Sequence, residues 1–527
     1  MPISLPDHVA QNFLQYFLTA FANGEPFYLS VHQARGRLQE ELEDEYPCAS
    51  WLPVVFQNPA VPELNWPKDN RKLWFGLGGA IALISLGFGL GKLAREINFH
   101  NRTSYGEQIL IKTVTTPEKQ AGVQAFWWQD YQTATENFAL SLKQKRNDPE
   151  TLIYKNNAII GKRKALTIVV SVPITSNANV AQEILRGVAQ AQDEINTLGG
   201  INGKLLKVKI ADDANDPKIA RELASRFVDD QEILAVLGHN ASNASVAAAP
   251  EYENGKLVMI TATSFSSKLS ETGRYIFRTV PEVIYFADVL SQYIVKNQGH
   301  KNIAICVDSK AQDNVSFSSQ IEGTTINLHK GNIVNINCDF ADPNFNPEQA
   351  INTAISKNVT ALVLSPHIDR IDKALLVAKA NKGRIKLFGS ATLYTYRTLE
   401  MGLSAVNGLA LSVPWHPSAF PNNPFAEKAK NIWGGSVTWR TAYSYDAMRA
   451  LIVGLRNSQP QESREKLREA LRIDGFVAYG ATGEVNFRPS GDRRLNGEPI
   501  IVEVQPRKNS LSGYDFVVIK NKKSVDN

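Results

Sequence analysis

Cysteine is scarce in this sequence: three residues in 527, at Cys48, Cys306 and Cys338. Three cysteines cannot build a disulfide framework, and none forms the Cys-x-x-Cys spacing of a structural zinc site. Cys306 and Cys338 both fall in strand-like segments. They read as two buried thiols, or as one disulfide if the compartment is oxidising. The chain also lacks the short motifs of catalysis: Gly-x-Ser-x-Gly, a Walker loop and His-Glu-x-x-His. His8, His32 and Cys48 share a small N-terminal region, but nothing around them would activate a Cys–His pair. No enzyme, cofactor or metal is therefore expected. A charge excess is missing too, since Lys+Arg 57 against Asp+Glu 52 leaves +5. With no basic block, a nucleic-acid partner is not expected. What remains, 43% hydrophobic and 21% charged, is an ordinary globular composition long enough for more than one domain.

Residues 1–70 form a small acidic region, with nine Asp+Glu against three Lys+Arg. Helical spacing predicts one helix over Asp7–Ala22 and another over Phe27–Leu42. The Pro-rich stretch Trp51–Pro67 cannot continue a helix. SVHQARGRLQ followed by SWLPVVFQNP resembles the C-terminal end of CHAT domains, caspase-like modules; the part of that fold that would carry catalytic residues is absent. Leu73 to Gly91 is uncharged over 19 residues. At ~1.5 Å per residue it would span about 28 Å, close to a bilayer core. About 70 residues precede it, which argues for a membrane anchor over a cleaved signal peptide. Beyond it, residues 117–160 show helical pairing, with Gln120–Leu142 as a first helix and DPETLIYKNNA opening a second. This spacer is similar to one tetratricopeptide unit, which cannot bury its own face and must pack on a neighbour.

Ala165 to Ser270 is the most informative stretch. The runs LTIVVSVPI (Leu166–Ile174), LLKVKIADD (Leu205–Asp213), ILAVLGH (Ile233–His239) and LVMITATS (Leu257–Ser264) alternate with helix-patterned segments. Continuous apolar runs are strands buried on both faces, and the alternation implies a parallel sheet between helices. In such sheets ligands meet the carboxyl ends of the strands. The polar loops NASNAS and SFSSKLS fall there. Downstream, IAICVD, INLHKGNIVNINCDF, VTALVLS and RIKLFGS read as strands of a second layer.

The order VPIT, LRGVAQAQDEIN, GGINGKLLKVKIADDANDP, LAVLGHNASNAS and LVMITATS resembles the leucine/isoleucine/valine-binding receptors of ABC transporters, in a variant similar to the cyanobacterial branch. WRTAYSYDAMRAL (Trp439–Leu451) and GATGEVNFRPSGDR (Gly480–Arg493) continue it. The resemblance implies a two-lobed type I periplasmic-binding-protein fold over residues 165–519, with three crossings. Lobe one would hold about 165–281 and 413–490, and lobe two about 282–412. It also implies that the receptor lies outside the cytoplasm, with the N-terminus inside.

The family's ligand-binding serine aligns with Ser242, beside Asn240 and Asn243. Thr263 offers the equivalent carbonyl acceptor. The next family position, a hydroxyl donor, is Phe265 here, with Ser264 and Ser266 as neighbours. Two cleft aromatics align near Asp313 and with His367. The acid that meets an amino acid's ammonium group aligns with Ala391. The expected partner is therefore a small polar solute, an amino acid or a relative of one, delivered to ABC permease subunits. The alternative is a signalling or interaction scaffold with a cytoplasmic partner, whose receptor domain senses a ligand or has lost one.

Overall fold

The computed structural model describes residues 7–42 and 99–519, apart from residues 24, 114, 460, 461, 496 and 509. The chain divides into two compact units, residues Met1–Arg95 and Glu96–Asn527. The predicted membrane anchor (73–91), the Pro-rich stretch and Cys48 lie outside the described residues. Among those described, no helix is long and apolar enough to cross a membrane.

In the first unit, two helices over Asp7–Ala22 and Phe27–Leu42 pair as the spacing predicts. Phe13, Phe17 and Phe21 recur every four residues, so one helix face carries a ladder of rings, the last two edge-on to Phe27. His32 lies on an exposed face of the second helix.

The second unit is built on two sheets. The first holds β1 (Thr103–Ser104), β2 (Ala165–Val172), β3 (Leu205–Asp212), β4 (Ile233–Leu237), β5 (Val258–Thr261) and β6 (Ile276–Arg278), in the order β1-β3-β2-β4-β5-β6. All pairs are parallel except β1 with β3. The second sheet starts from β7 (Asn302–Val307), β8 (Asn332–Ile333), β9 (Ala361–Ser365), β10 (Lys386–Gly389) and β11 (Ala410–Val413). A hairpin, β12 (Ala478–Gly480) with β13 (Gly483–Val485), lies beside the first lobe. The chain then returns to the second sheet as β14 (Ile500–Pro506) and β15 (Tyr514–Val518), giving the order β15-β14-β11-β10-β9-β7-β8.

Each sheet lies between helices, and the chain passes between the lobes three times. The third passage is pinned by buried ion pairs. Arg278 holds Asp492 through Nε at 2.7 Å, and Arg493 Nη1 meets Asp446 Oδ2 at 2.9 Å. Asp446 sits on the long helix Trp439–Arg456, whose contact with helix Ala178–Thr197 depends on Gly187. A Cβ there would stand 2.3 Å from the Thr441 carbonyl oxygen and 2.6 Å from the Tyr445 nitrogen. Without a side chain the two backbones approach closely, which brings Glu183, one turn earlier, onto Arg440 and Thr441.

Two readings of the sequence are corrected, and one left open is decided. The spacer holds three helices, Pro117–Trp127, Tyr131–Gln144 and Pro149–Ile160, not two. Gln129 takes a positive φ of 61° and Asp130 caps the next helix, so Gln120–Leu142 is broken in its middle. INLHKGNIVNINCDF contributes a strand of only two residues, because Ile326–Asn327 still belong to the preceding helix and Lys330 turns with φ 61°. Of the two readings open for Cys306 and Cys338, the structure shows the disulfide. Val307 N–H bonds the Cys338 carbonyl at 3.0 Å, so sheet pairing brings the two together across 32 residues.

The spacer packs on the first lobe. Asn157 on its last helix holds both the N–H and the carbonyl of Val208 in β3, at 3.1 and 2.7 Å. Within the spacer, the buried Lys119 ammonium lies 2.8 Å from Asp148 and 2.7 Å from Glu150. A lone buried cation would be costly; two carboxylates and further hydrogen bonds compensate it.

Candidate functional site

The site lies where the carboxyl ends of both sheets face each other. On the first lobe, the loops after β4 and β5 bond to one another. Ser264 Oγ donates to Ser242 Oγ at 2.9 Å, and Thr263 Oγ1 donates to the Asn240 carbonyl at 3.0 Å. Asn240 Nδ2 donates to Asn215 Oδ1 at 3.1 Å. Ser242 is the first residue of helix Ser242–Asn254, whose N-cap, Ala241, supplies no side-chain hydrogen bond. Ser242 therefore does not cap the helix; with its Oγ accepting from Ser264, its own proton is free to point elsewhere.

Asn243 reaches across the cleft. Its Nδ2 donates to the Lys310 carbonyl at 2.8 Å, and its Oδ1 accepts the Gln312 N–H at 2.8 Å. Both groups of one amide are thus spent on the backbone of the second lobe, and they clasp the lobes together.

Phe265 enters the cleft. Its ring packs edge-on against Phe286 at 5.2 Å and tilted against Trp439 at 5.6 Å. Beside it, Asp313, Asn314, Phe317, Ser390 and Ala391 enclose a cavity of about 10 Å³, roughly the room one water needs. Burial pushes the Asp313 carboxyl above its usual range, with the His367 imidazole pulling the other way. His367 itself turns its Nδ1 to the Asp369 N–H, at 3.3 Å. The structure thus gathers Phe265 and Asp313 at one cavity, while His367 acts on Asp313 electrostatically and does not line it. It leaves Asn240, Ser242, Thr263 and Ser264 in a self-bonded wall, and gives Asn243 to the clasp.

Sequence reasoning missed Arg440. Only 3% exposed, it meets Glu183 Oε2 through Nη1 at 3.2 Å and stacks on the Trp439 ring at 4.7 Å. Burial lowers its pKa, while Glu183 and Asp313 raise it; the Asp313 contribution places the guanidinium within electrostatic reach of the second lobe. An arginine at the head of a helix that is otherwise buried was the available signal. Among the described residues, Arg440 Nε, Trp439 Nε1, Asn314 Nδ2 and Ser390 Oγ are buried without a hydrogen-bond partner. No cluster of residues able to hold a metal occurs among the described residues.

Two α/β lobes, three crossings and a polar cleft at the strand ends define a periplasmic binding protein of type I. The sequence profile of the family described as "Periplasmic binding protein" matches residues 165–510, and the chain belongs to that family. Within it, the chain is similar to Leu/Ile/Val-binding proteins. One, BraC3 of Rhizobium johnstonii, is 26% identical over 336 residues, covering 62% of this chain and 88% of the relative. That of Escherichia coli K12 is 26% identical over 324 residues, covering 60% and 84%. The crystal structure of a leucine binding protein, LivK, from Thermotoga maritima superposes with a TM-score of 0.60 at 22% identity, covering 68% of this chain and 99% of that one. The fold is that of the solute-binding domain of branched-chain amino acid ABC transporters.

Proposed function

We propose that the chain is a membrane-anchored extracytoplasmic receptor that closes its two lobes on a small polar solute and presents it to an ABC permease. In this reading residues 1–70 are cytoplasmic, 73–91 cross the inner membrane and 117–160 form a spacer. Residues 165–519 bind the solute, lobe one at about 165–281 and 413–490 and lobe two at about 282–412. The N-terminal likeness to the end of a CHAT domain, the tetratricopeptide-like spacer and the cyanobacterial character of the receptor belong to the same proposal. Together they allow a cytoplasmic signalling partner beside the permease.

The observation that carries the reading is the clasp of Asn243 on Lys310 and Gln312, closed over buried donors that lack partners. A buried donor without a partner costs free energy, so a cleft that keeps several has a use for them. A scaffold that had lost its solute would have no such use, and that alternative is not adopted. The Cys306–Cys338 bond supports an oxidising, extracytoplasmic compartment. The relatives named for leucine, isoleucine and valine support the solute class only broadly, because the acid expected for an ammonium group is replaced by Ala391.

Thermal unfolding of the purified full chain against amino acids, aromatic acids and small anions tests the solute claim. A solute at 100 times its Kd adds about 2.7 kcal/mol of stability. No shift with any solute would refute it. The anchor is tested separately: the protein should stay with membranes in alkaline carbonate, and release would refute the anchor alone.

A further inference from the structure

We infer that a hollow on the first lobe, lined by Arg274, Arg468, Arg472, Arg488 and Arg494, is a second binding site and takes a small polyvalent phosphate. This goes beyond the receptor reading and stands without it, because the hollow shares no lining residue with the cavity beside Phe265.

The hollow measures about 590 Å³, a volume ordinary for a small-molecule site. Arg274 leads into β6 at its amino end, whereas the cleft faces the carboxyl ends of the strands. The five arginines come from three segments: the loop before β6, helix Arg464–Arg472 and the stretch after β13. Asp474, exposed at the rim, is the one acid among the lining residues.

Two of the arginines build the wall. Arg472 donates from Nε to the Arg274 carbonyl at 2.7 Å, from Nη2 to the Gly273 carbonyl at 3.2 Å and from Nη1 to the Pro489 carbonyl. Arg488 holds Glu282 Oε1 at 2.8 Å and the Tyr285 hydroxyl at 2.6 Å. The other three have donors to spare. Arg494 gives its Nε to the Phe487 carbonyl at 3.3 Å. Arg468 meets Glu469 at 3.5 Å, and its Nε is buried without a hydrogen-bond partner. Among the described residues, no ion pair engages Arg274 or Arg494.

This gathering of like charge is costly for the empty protein. Arg468 and Arg472 stand four apart on one helix, a spacing at which like charges repel. Burial lowers the Arg472 pKa, and the Arg468 and Arg274 guanidinium groups lower it further, while Glu253 acts the other way. Aromatic faces hold the two helix arginines in place: Arg468 lies over the Tyr275 ring at 5.5 Å and Arg472 over Phe277 at 5.1 Å. Fixed guanidinium groups with unspent donors are the partners an oxyanion needs. A planar carboxylate serves forks that lie in its own plane. A phosphate offers oxygens in tetrahedral directions, which suits arginines arriving from three segments, and several charges suit several arginines.

The test is calorimetric titration of the purified full chain with inorganic pyrophosphate and with sulfate, at constant ionic strength. Pyrophosphate should bind about tenfold more tightly than sulfate, or better. Arg274→Gln with Arg494→Gln should weaken it by about tenfold or more. Both side chains are exposed, so the fold should survive their loss. Lys162→Gln with Lys164→Gln removes the same charge from exposed positions at a different hollow and should leave binding unchanged. Arg468→Lys keeps the charge, loses the Nε donor and should also weaken binding. Ser242→Ala, in the wall of the cleft, should not. Equal weakening by the arginine and lysine pairs would mean a general attraction of anions to a basic surface and overturn the site. Loss of binding in Ser242→Ala would put the anion in the cleft and overturn it too. Sulfate binding as tightly as pyrophosphate would overturn the phosphate class, unchanged binding in Arg468→Lys the role of Arg468, and no pyrophosphate binding the whole inference. None of these results bears on the solute of the cleft.

Discussion

The side-chain amide of Asn243 accepts the backbone N–H of Gln312 at 2.8 Å, from one lobe to the other, while its Nδ2 donates to the neighbouring Lys310 carbonyl at 2.8 Å. An amide with both ends used across a cleft acts as a latch whose worth is that of two hydrogen bonds. Each contributes about 0.5–1.5 kcal/mol net, so the pair shifts an open–closed equilibrium without locking it.

Asn243→Ala should therefore favour the open form by about 1–3 kcal/mol, a factor of roughly 5 to 150 in the equilibrium. Small-angle scattering should show a larger radius of gyration in the absence of solute. An unchanged radius would mean that the clasp contributes nothing to closure.

Gly187→Val places a branched side chain against the Thr441 carbonyl and the Tyr445 nitrogen, both backbone atoms. Helices Ala178–Thr197 and Trp439–Arg456 must then separate, at a cost of about 1–3 kcal/mol. The melting temperature should fall, and Glu183 should lose Arg440. A melting temperature equal to that of the wild type would show that the helices tolerate the separation.

Cys306→Ser with Cys338→Ser should lower stability by about 2–4 kcal/mol, since the bond closes a loop across 32 residues. The intact protein should weigh about two mass units less than its reduced form. Two free thiols at these positions in protein purified without reductant would contradict the pairing.

Asp313 sets a pH dependence whose sign follows from its burial. Its folded value is raised above the ordinary 3.8, so the protonated form is favoured in the folded state. Its contribution to stability is fully present below 3.8 and is lost as pH rises through the raised folded value. His367 and Arg440, both acting on Asp313 electrostatically, limit the loss, and Asp308 adds to it. Stability of Asp313→Asn against pH should lack this decline. An identical profile in both proteins would remove Asp313 as its source.

The fold was legible because local and global signals agree. The β-branched run of β2 and the apolar runs of β4 and β5 each become a buried strand, and each polar loop falls at a strand's carboxyl end. Legibility ended where a contact depends on distant chain. Nothing local at Asn243 announces a partner 67 residues away at Lys310. The helix break after Trp128 rests on one left-handed residue, Gln129, that need not be glycine or asparagine. The Cys306–Cys338 pairing follows from sheet register, which spacing alone does not give. Arg440 was hidden because its meaning comes from Glu183, 257 positions earlier, and from the close helix approach at Gly187.

The central claim is closure of two lobes on a solute. A direct measurement is the distance between spin labels on Leu198→Cys and Leu328→Cys, exposed positions beside the first and second sheets, in a Cys48→Ser background. The account predicts two populations without solute, a shift to the shorter distance when the solute is added, and a shift to the longer one in Asn243→Ala. A single distance, unmoved by any solute and by the Asn243 substitution, would contradict it.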